Sequence, residues 1–569
     1  MNQRWQQPRY EWKHLPWKKI ERQVFKLQRR IYRAASRQDH RTVRRLQRLM
    51  MRSWAARLLA IRRVTQDNQG KRTAGIDGVA QLSAPQRMAL ALQLSWKAKA
   101  KPVRRIWIPK NNGQEKRPLG IPVMADRARQ AWVKLTLEPE WEAKFEANSY
   151  GFRPGRSAQD AIAAIFLAIV RKPKYVLDAD IAQCFDCIDH QALLAKVNPS
   201  PPIRRLIKGW LTAGVWEHGQ WFPTSAGTPQ GGVLSPLLAN IALHGIETHL
   251  QSCFPPYLKK KQSGRWKYVR VNTVQVIRYA DDFVVLHPEL STIRSAKAAL
   301  EDWLAPLGLR LKPSKTRIVH TLGAADVETG FDFLGFHVRQ YPVSQYQRPC
   351  GYKTLIKPSK ASLKRHYQQL QSLVKHYTGR TQRLLIASLN HCIRGWSRYF
   401  STVVSSDCFD RLDSQLNRLL LNWTKRQQGL RSKRRTFARY WGIERGMGWT
   451  FSTPDKFCLA AHRSTPIRRH VKVRSNKSPF DGDWLYWAVR RGHYPGTSRQ
   501  VATLLKRQVG RCAHCNLFFD AYSLIEVHHL NRNRRDNSLN NLRALHRHCH
   551  DQVHAVAVKP KSVSVTKTR

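Results

Sequence analysis

Two carboxylates stand side by side in the stretch VQVIRYADDFVVL (274–286), Asp281 and Asp282, between two apolar runs of strand composition. Aspartate is common in turns, but two adjacent negative charges repel, and without a cation at least one should hold its proton too tightly. A divalent ion relieves this, and Mg²⁺ is typically held by one or two carboxylates together with substrate phosphates. A third carboxylate is available in YVLDADIAQCFDCIDH (175–190). Residues 175–181 read as a strand, whose period of two puts Asp178 and Asp180 on one face. One aspartate at that strand's end, joined to Asp281 and Asp282, would hold two metal ions about 3.5–4 Å apart for an in-line displacement at phosphorus. The chemistry is then nucleotidyl transfer. Asp178, Asp186 and Asp189 read as surface or capping groups.

A second constellation lies near the C-terminus. Cys512-Ala513-His514-Cys515 is followed by His546-Arg547-His548-Cys549. Two such pairs read as a tetrahedral zinc site with Cys512, Cys515, His546 and Cys549 as ligands. Zinc here would be structural, standing in for a core too small to hold such a module alone. Around it lie EVHHL (526–530), Asn541, His550 and His554. His550 and His554, four apart on an expected helix, can face one ion. The bland reading is a zinc knuckle with surplus histidines.

These groups need a scaffold, and composition bounds it. The chain has 569 residues, enough for several domains, and its 42% hydrophobic content can build real cores. Its 100 Lys and Arg against 37 Asp and Glu give a formal net charge of +63, which calls for a polyanionic partner. Nucleic acid fits, since phosphates release counterions when basic side chains replace them. No apolar run approaches the roughly 20 residues that span a bilayer, so no membrane is expected. No apolar signal segment is visible at the N-terminus, and apart from one CxxC the cysteines are scattered; we read an intracellular, cytoplasmic protein with reduced thiols.

Residues 1–75 read as a basic helical extension. Val43, Leu46, Met50, Trp54, Leu58 and Ile61 make one apolar stripe, and Arg41, Arg44, Arg45, Arg48 and Arg52 fall largely off it. With almost no acids to offset them, these arginines are expected to meet phosphate. Residues 76–345 alternate strand-like and helix-like pieces, and 103–122 read as a hairpin turning at Asn111-Asn112-Gly113. Residues 346–455 read as basic helix, 456–505 as a less regular basic linker, and 506–569 as the Cys/His module with a basic tail.

At this point the residues resemble a known family. Tyr279-Ala280-Asp281-Asp282 is similar to the metal-binding turn of reverse transcriptases, and Asp180 to that family's first catalytic aspartate, with Phe185 as the aromatic gate that excludes a 2′-hydroxyl. Gln230-Gly231-Gly232-Val233-Leu234-Ser235-Pro236 resembles the loop that contacts the templating pair, where the glycines permit close backbone approach and Ser235 and Pro236 suit a helix N-cap and first position. Arg117, with Lys110 upstream, resembles the residues that hold the incoming triphosphate; Lys315 in LKPSKT and the stretch FLGF (333–336) match later blocks. RGWSRYF (394–400) resembles the maturase segment of group II intron proteins, which grips intron RNA, here with Arg394 and Trp396; by themselves Trp396, Tyr399 and Phe400 read equally as ordinary helix core. The Cys/His module resembles an HNH endonuclease: His528, His550 and His554 would bind a divalent ion, His529 would be the general base, Asn541 would orient it, and Glu526 would support the metal site. His546 departs from that pattern, which usually has Cys there.

The resemblance implies a multidomain α/β protein: right-hand polymerase fingers and palm with an antiparallel sheet, an α-helical thumb and maturase domain, and a small ββα-metal module. It implies Mg²⁺ and structural Zn²⁺ as cofactors, and intron RNA, target DNA and deoxynucleoside triphosphates as partners. The function implied is copying RNA into DNA, assisting splicing, nicking a DNA target and priming from the nick. The rival reading is a splicing cofactor that binds RNA and whose catalytic sites are vestigial.

Overall fold

The computed structural model describes residues 11–109, 116–260, 268–324, 327–428, 433–444, 448–475, 477–494, 497–520 and 522–556. Lys110, the turn at 111–113 and the basic tail lie outside the described residues.

Five strands form the central sheet, in the order Glu328–Thr329, Arg317–His320, Tyr175–Asp180, Asp282–His287, Gln275–Tyr279. All pairs are antiparallel except the short first one. Strand alternation sends Leu177, Ala179, Phe283 and Val285 into one core and Val176, Val284, Leu286 and Val319 into another. Both faces are therefore covered, and the strands read as apolar runs. A separate four-stranded sheet orders Lys116–Ile121, Val103–Pro109, Val215–Glu217, Gln220–Phe222 and contains the expected hairpin, paired from Arg104↔Ile121 to Pro109↔Lys116.

Within the basic helical extension expected over 1–75 lie three helices, Trp17–Ser36, His40–Arg52 and Trp54–Arg62. Asp39 and Ser53 each accept a hydrogen bond from the backbone N–H three residues on, capping the second and third. The restart at Ser53 rotates Trp54 out of the stripe, where it is exposed, while Val43, Leu46, Met50, Leu58 and Ile61 are buried. Helix Ala84–Gln93 packs on this unit, which thus runs past the expected boundary at 75.

Helices Lys360–His376, Gln382–Phe400 and Ser406–Gln428 close a core of their own around Leu370, Leu389, Leu420 and Trp423. The helical region begins later than residue 346, because strand Tyr352–Pro358 first pairs along Phe336–Pro342. The basic linker is bolted down. Asp160 accepts hydrogen bonds from the Val473 backbone (2.8 Å), His470 (3.0 Å) and Arg490. Helix Trp484–Gly492 stacks Trp484 on Phe518, ring centroids 5.4 Å apart, and Arg491 donates to the carbonyls of Asp520 and Ser523. The C-terminal module is a hairpin, Ile525–His529 with Leu542–His546, followed by helix Arg547–Val556. Helix Arg499–Arg507 lends it Leu504 and Leu505.

Candidate functional site

The first carboxylate arrives at the end of Tyr175–Asp180, directly across from Asp282 in the register. Tyr279 pairs with Asp282, so Ala280 and Asp281 form a two-residue hairpin turn, with Ala280 at φ 59°. A turn of this kind carries positive φ, matching the twist of the strands it joins. Burial and then the Asp180 charge push the Asp281 carboxyl up. Asp282 keeps an exposed edge, yet protein crowding, then the charges of Asp281 and Asp180, push it up to about 7. Lys315 donates to Asp180 at 2.7 Å, and this bond comes first among the causes that raise the lysine. The guanidinium of Arg117, on Lys116–Ile121, acts on Asp281 in the opposite sense to its carboxylate neighbours. Three carboxylates gathered at one sheet end, with Asp281 and Asp282 raised and two cations beside them, suit a divalent ion. Their oxygens are more open than a closed ligand set: among the described residues, the groups of three or more ligands within 4.8 Å of one another both lie in the C-terminal module.

The turn rests on residues that sequence reasoning missed. Arg278, buried at 2% exposure, donates to the Asn240 side chain at 3.0 Å and to the Ala280 carbonyl at 3.1 Å. Burial lowers it to about 10, still a cation at neutral pH. Gly151 lies against Tyr279 and Ala280 with no room for a Cβ, and Asn240 donates to its carbonyl at 2.8 Å. An arginine immediately before the turn, in an otherwise apolar strand, was the signal available.

Phe185 sits at the start of the short helix Cys184–Cys187, edge-on to Phe152, ring centroids 6.0 Å apart. It lines a cavity of about 220 Å³ with Gln230, Gly120 and Arg105. Gln230 donates to Asp186 at 3.3 Å. Gly231, at φ 109°, lies so close to the Gly120 carbonyl and the Leu119 side chain that a Cβ would collide. Ser235 is not the helix N-cap: Leu234 holds that place, and the Ser235 hydroxyl donates to the Pro229 carbonyl at 2.8 Å. Asp189 caps its helix through Ala192 N (2.7 Å), and Asp178 pairs with Arg317 at 3.1 Å.

Of the expected RNA contacts, Arg41, Arg45, Arg48 and Arg394 are exposed. Arg44 is not free for RNA, because it donates to the Asn198 carbonyl and ties its helix to the body. Trp396 is half-buried against the core: it stacks on His366 with centroids 4.6 Å apart and packs against Phe400, Phe409 and His462.

In the C-terminal module Cys512, Cys515, His546 and Cys549 are buried and converge, their ligand atoms within 4.8 Å of one another. Hydrogen bonds from Cys515 and Cys549 pull the Cys512 thiol down. Burial opposes protonation of His546, but its bonds to Cys512 and Cys515 prevail and raise it to about 10. Sulfur and imidazole donors at this spacing suit zinc, so His in the usual Cys position does not open the set. His528, His550 and His554 form the second close group. Glu526 accepts from His550 at 3.0 Å and from Arg547 at 2.6 Å, fixing the ring's orientation. The Nε2 of His529 is buried without a hydrogen-bond partner among the described residues. Asn541 spends its amide on the loop, accepting from Asn531 N (2.9 Å) and donating to the Asp536 carbonyl (2.9 Å). It shapes the turn after His529.

Family models and curated proteins match much of the chain in sequence. Residues 108–338 match the model of reverse transcriptase (RNA-dependent DNA polymerase), 12–94 that of the N-terminal domain of reverse transcriptase, and 363–441 that of the group II intron maturase-specific domain. The chain is 34% identical over 345 residues to Protein YkfC of Escherichia coli, covering 55% of this chain and 87% of that one. It is 43% identical over 149 residues to the group II intron-encoded protein LtrA of Lactococcus lactis, which is 26% of this chain and a quarter (25%) of LtrA. An uncharacterized 91 kDa protein in the cob intron of Schizosaccharomyces pombe is 26% identical over 357 residues, 53% of this chain and 44% of that one. The chain belongs to the reverse transcriptase family, in its group II intron type with a maturase-specific domain. Its function is RNA-directed DNA synthesis with a role in intron splicing. These three family matches end at residue 441. No helix among the described residues is long and apolar enough to cross a membrane.

Proposed function

We propose that this chain extends a DNA primer on an RNA template at the Asp180, Asp281 and Asp282 carboxylates, after its own C-terminal module has nicked the DNA that supplies the primer. The observation that carries the polymerase half is the Asp180↔Asp282 register, with Asp281 at the turn beside it. Two Mg²⁺ ions held there would activate the primer hydroxyl and neutralise the leaving pyrophosphate. The chain's own residues supply position and charge, which is most of what phosphoryl transfer asks. Arg117 brings positive charge over the incoming phosphates, Phe185 closes under the sugar, and Gly231 lets the backbone approach the new pair. Lys315 neutralises Asp180 until substrate arrives. The strands and helices around them act as palm and fingers, and helices 360–428 as the thumb.

The nuclease half rests on the two ligand groups of the ββα module. Zinc in the Cys512, Cys515, His546 and Cys549 set would hold the module together. His528, His550 and His554 would hold a divalent ion at the scissile phosphate, and the unpartnered Nε2 of His529 can take a proton from water. Intron RNA, target DNA and deoxynucleoside triphosphates are the partners.

The test is primer extension on an RNA template with and without Mg²⁺. Mg²⁺-dependent product is expected from the full chain. No product with any divalent ion would leave only an RNA-binding splicing cofactor.

A further inference from the structure

The four-stranded sheet has two unlike faces. Val103, Val215, Gly120 and Pro118 face the body and wall the cavity beside Phe185 and Gln230. On the opposite face, register sets Arg104, Trp216 and Trp221 in one cross-strand row. The same face continues through Ile106 with Leu119 to Ile108 with Arg117. That face is covered at Ile121, the neighbour of Arg104 in the row, and open beyond it: Trp216 is 41% exposed, Trp221 51% and Ile108 46%. Large aromatics grouped at a surface mark a binding site more often than chance.

Trp221 is not a loose side chain. Its indole N–H donates to the Ala213 carbonyl at 3.1 Å. The ring lies over Gly214, at φ 79°, where a Cβ would collide with it. The fold thus clears space to hold this ring at the surface, with one edge fixed and a face free.

The occupant follows from charge and continuity. The charged groups on the open face are Arg104 and Arg117, on a chain of net charge +63. Leu119 lies against Gly231, next to Gln230 of the cavity that Phe185 lines, so the face begins beside that loop. From Arg117 to Trp221 is three strand spacings across and four residues along, about 19 Å. That distance spans about five nucleotides stacked at roughly 3.4 Å each. Aromatic rings in a positive groove stack the bases of a single strand without regard to sequence.

We propose that this face is the platform for unpaired template RNA ahead of the site of synthesis, with Trp216 and Trp221 each stacking a base. It rests on the polymerase reading. The test measures binding of the full chain to a primer–template duplex that is either blunt or carries a single-stranded template overhang long enough to reach Trp221. Trp216→Ala and Trp221→Ala should each weaken binding of the overhang substrate about tenfold and leave the blunt one unchanged, while Trp216→Phe and Trp221→Phe retain most of it. Equal weakening of both substrates, no weakening, or a loss confined to folded intron RNA without an overhang would overturn the proposal. Should the alanine variants not fold, 4-thiouridine in the overhang decides with the wild type: it should cross-link within 214–222, and cross-links elsewhere contradict the platform. Primer extension by the wild type on the blunt-ended duplex's recessed counterpart reads the polymerase assignment separately.

Discussion

The candidate catalytic turn and the Cys/His module gather their candidate ligands in opposite ways. The three aspartates repel, stay open to solvent at Asp282, and lean on Lys315 and Arg117 for charge. The Cys512, Cys515, His546 and Cys549 set is buried and closed on itself. The scaffolds differ to match. The aspartates stand on a sheet packed on both faces, with Arg278 clamping the turn from below. The module has a core of a few residues, among them Leu504, Leu505, Phe519 and Leu542, and its cysteines belong to that core. A site that must admit substrate keeps positions open and takes its order from a large fold, whereas a site that only holds a small fold together can be closed.

This contrast can be broken from either side. Asp281→Asn, on the large scaffold, should lower DNA synthesis by about a thousandfold or more while the fold stays intact, read by primer extension beside thermal melting; RNA binding and splicing assistance should stay near wild type. Equal loss of splicing would show that the two functions are not separable. In the module the effect should fall on folding. Cys512→Ser, or zinc chelation, should expose 506–556 to limited proteolysis, since structural zinc supplies about 10–16 kcal/mol in zinc-finger peptides. Extension of a supplied primer should hardly change. A module that stays resistant to protease without zinc would remove the distinction drawn above.

A third variant sharpens the comparison within the module. His529→Ala should abolish nicking of target DNA, spare protease resistance, and spare extension of a supplied primer. Persistent nicking would show that another group takes the proton. A smaller effect is expected at Arg278. Arg278→Lys keeps the charge, but its shorter side chain does not carry a nitrogen as far as the Nη1 that donates to both Asn240 and Ala280, so synthesis should fall about ten- to a hundredfold with a higher Mg²⁺ requirement. A loss with no change in Mg²⁺ dependence would make Arg278 merely structural.

The smallest expected effect lies in the helical region. Burial, then the His462 charge, pushes His366 down to about 3, beneath the Trp396 ring. An imidazole depressed on folding binds fewer protons in the native than in the unfolded chain between about 3 and 6.5. Stability from this group is therefore complete above the unfolded value and falls as pH drops below it, approaching about 1.4 kcal/mol per pH unit. Melting between pH 7.5 and 5.5 should show the fall in the wild type and a flatter profile in His366→Gln. Identical profiles would mean that His366 stays solvated.

Much of this was legible in the chain because it is written locally. The apolar runs around Asp281 and Asp282, the alternation through Asp180, and the CxxC spacing each state their geometry within a few residues. What escaped depends on partners far away. Trp396 reads either as helix core or, beside its basic neighbours, as an RNA contact, and the packing of His366 and Phe409, from other helices, is not written near it. Arg44 reads as free until Asn198 meets it, and the basic linker reads as loose until Asp160 receives Val473, His470 and Arg490. Arg278 could have been suspected, since a charge inside a buried strand needs a reason.

The most direct test of the catalytic turn is affinity cleavage with Fe²⁺ in place of Mg²⁺, in the presence of a primer–template. Radicals formed at the bound metal should cut the backbone near residue 180 and near 281–282 in the same molecules, with both cuts suppressed by excess Mg²⁺ and absent from Asp180→Asn. Cutting near 281–282 that persists undiminished in Asp180→Asn would show that these carboxylates do not share a metal, and would contradict the account.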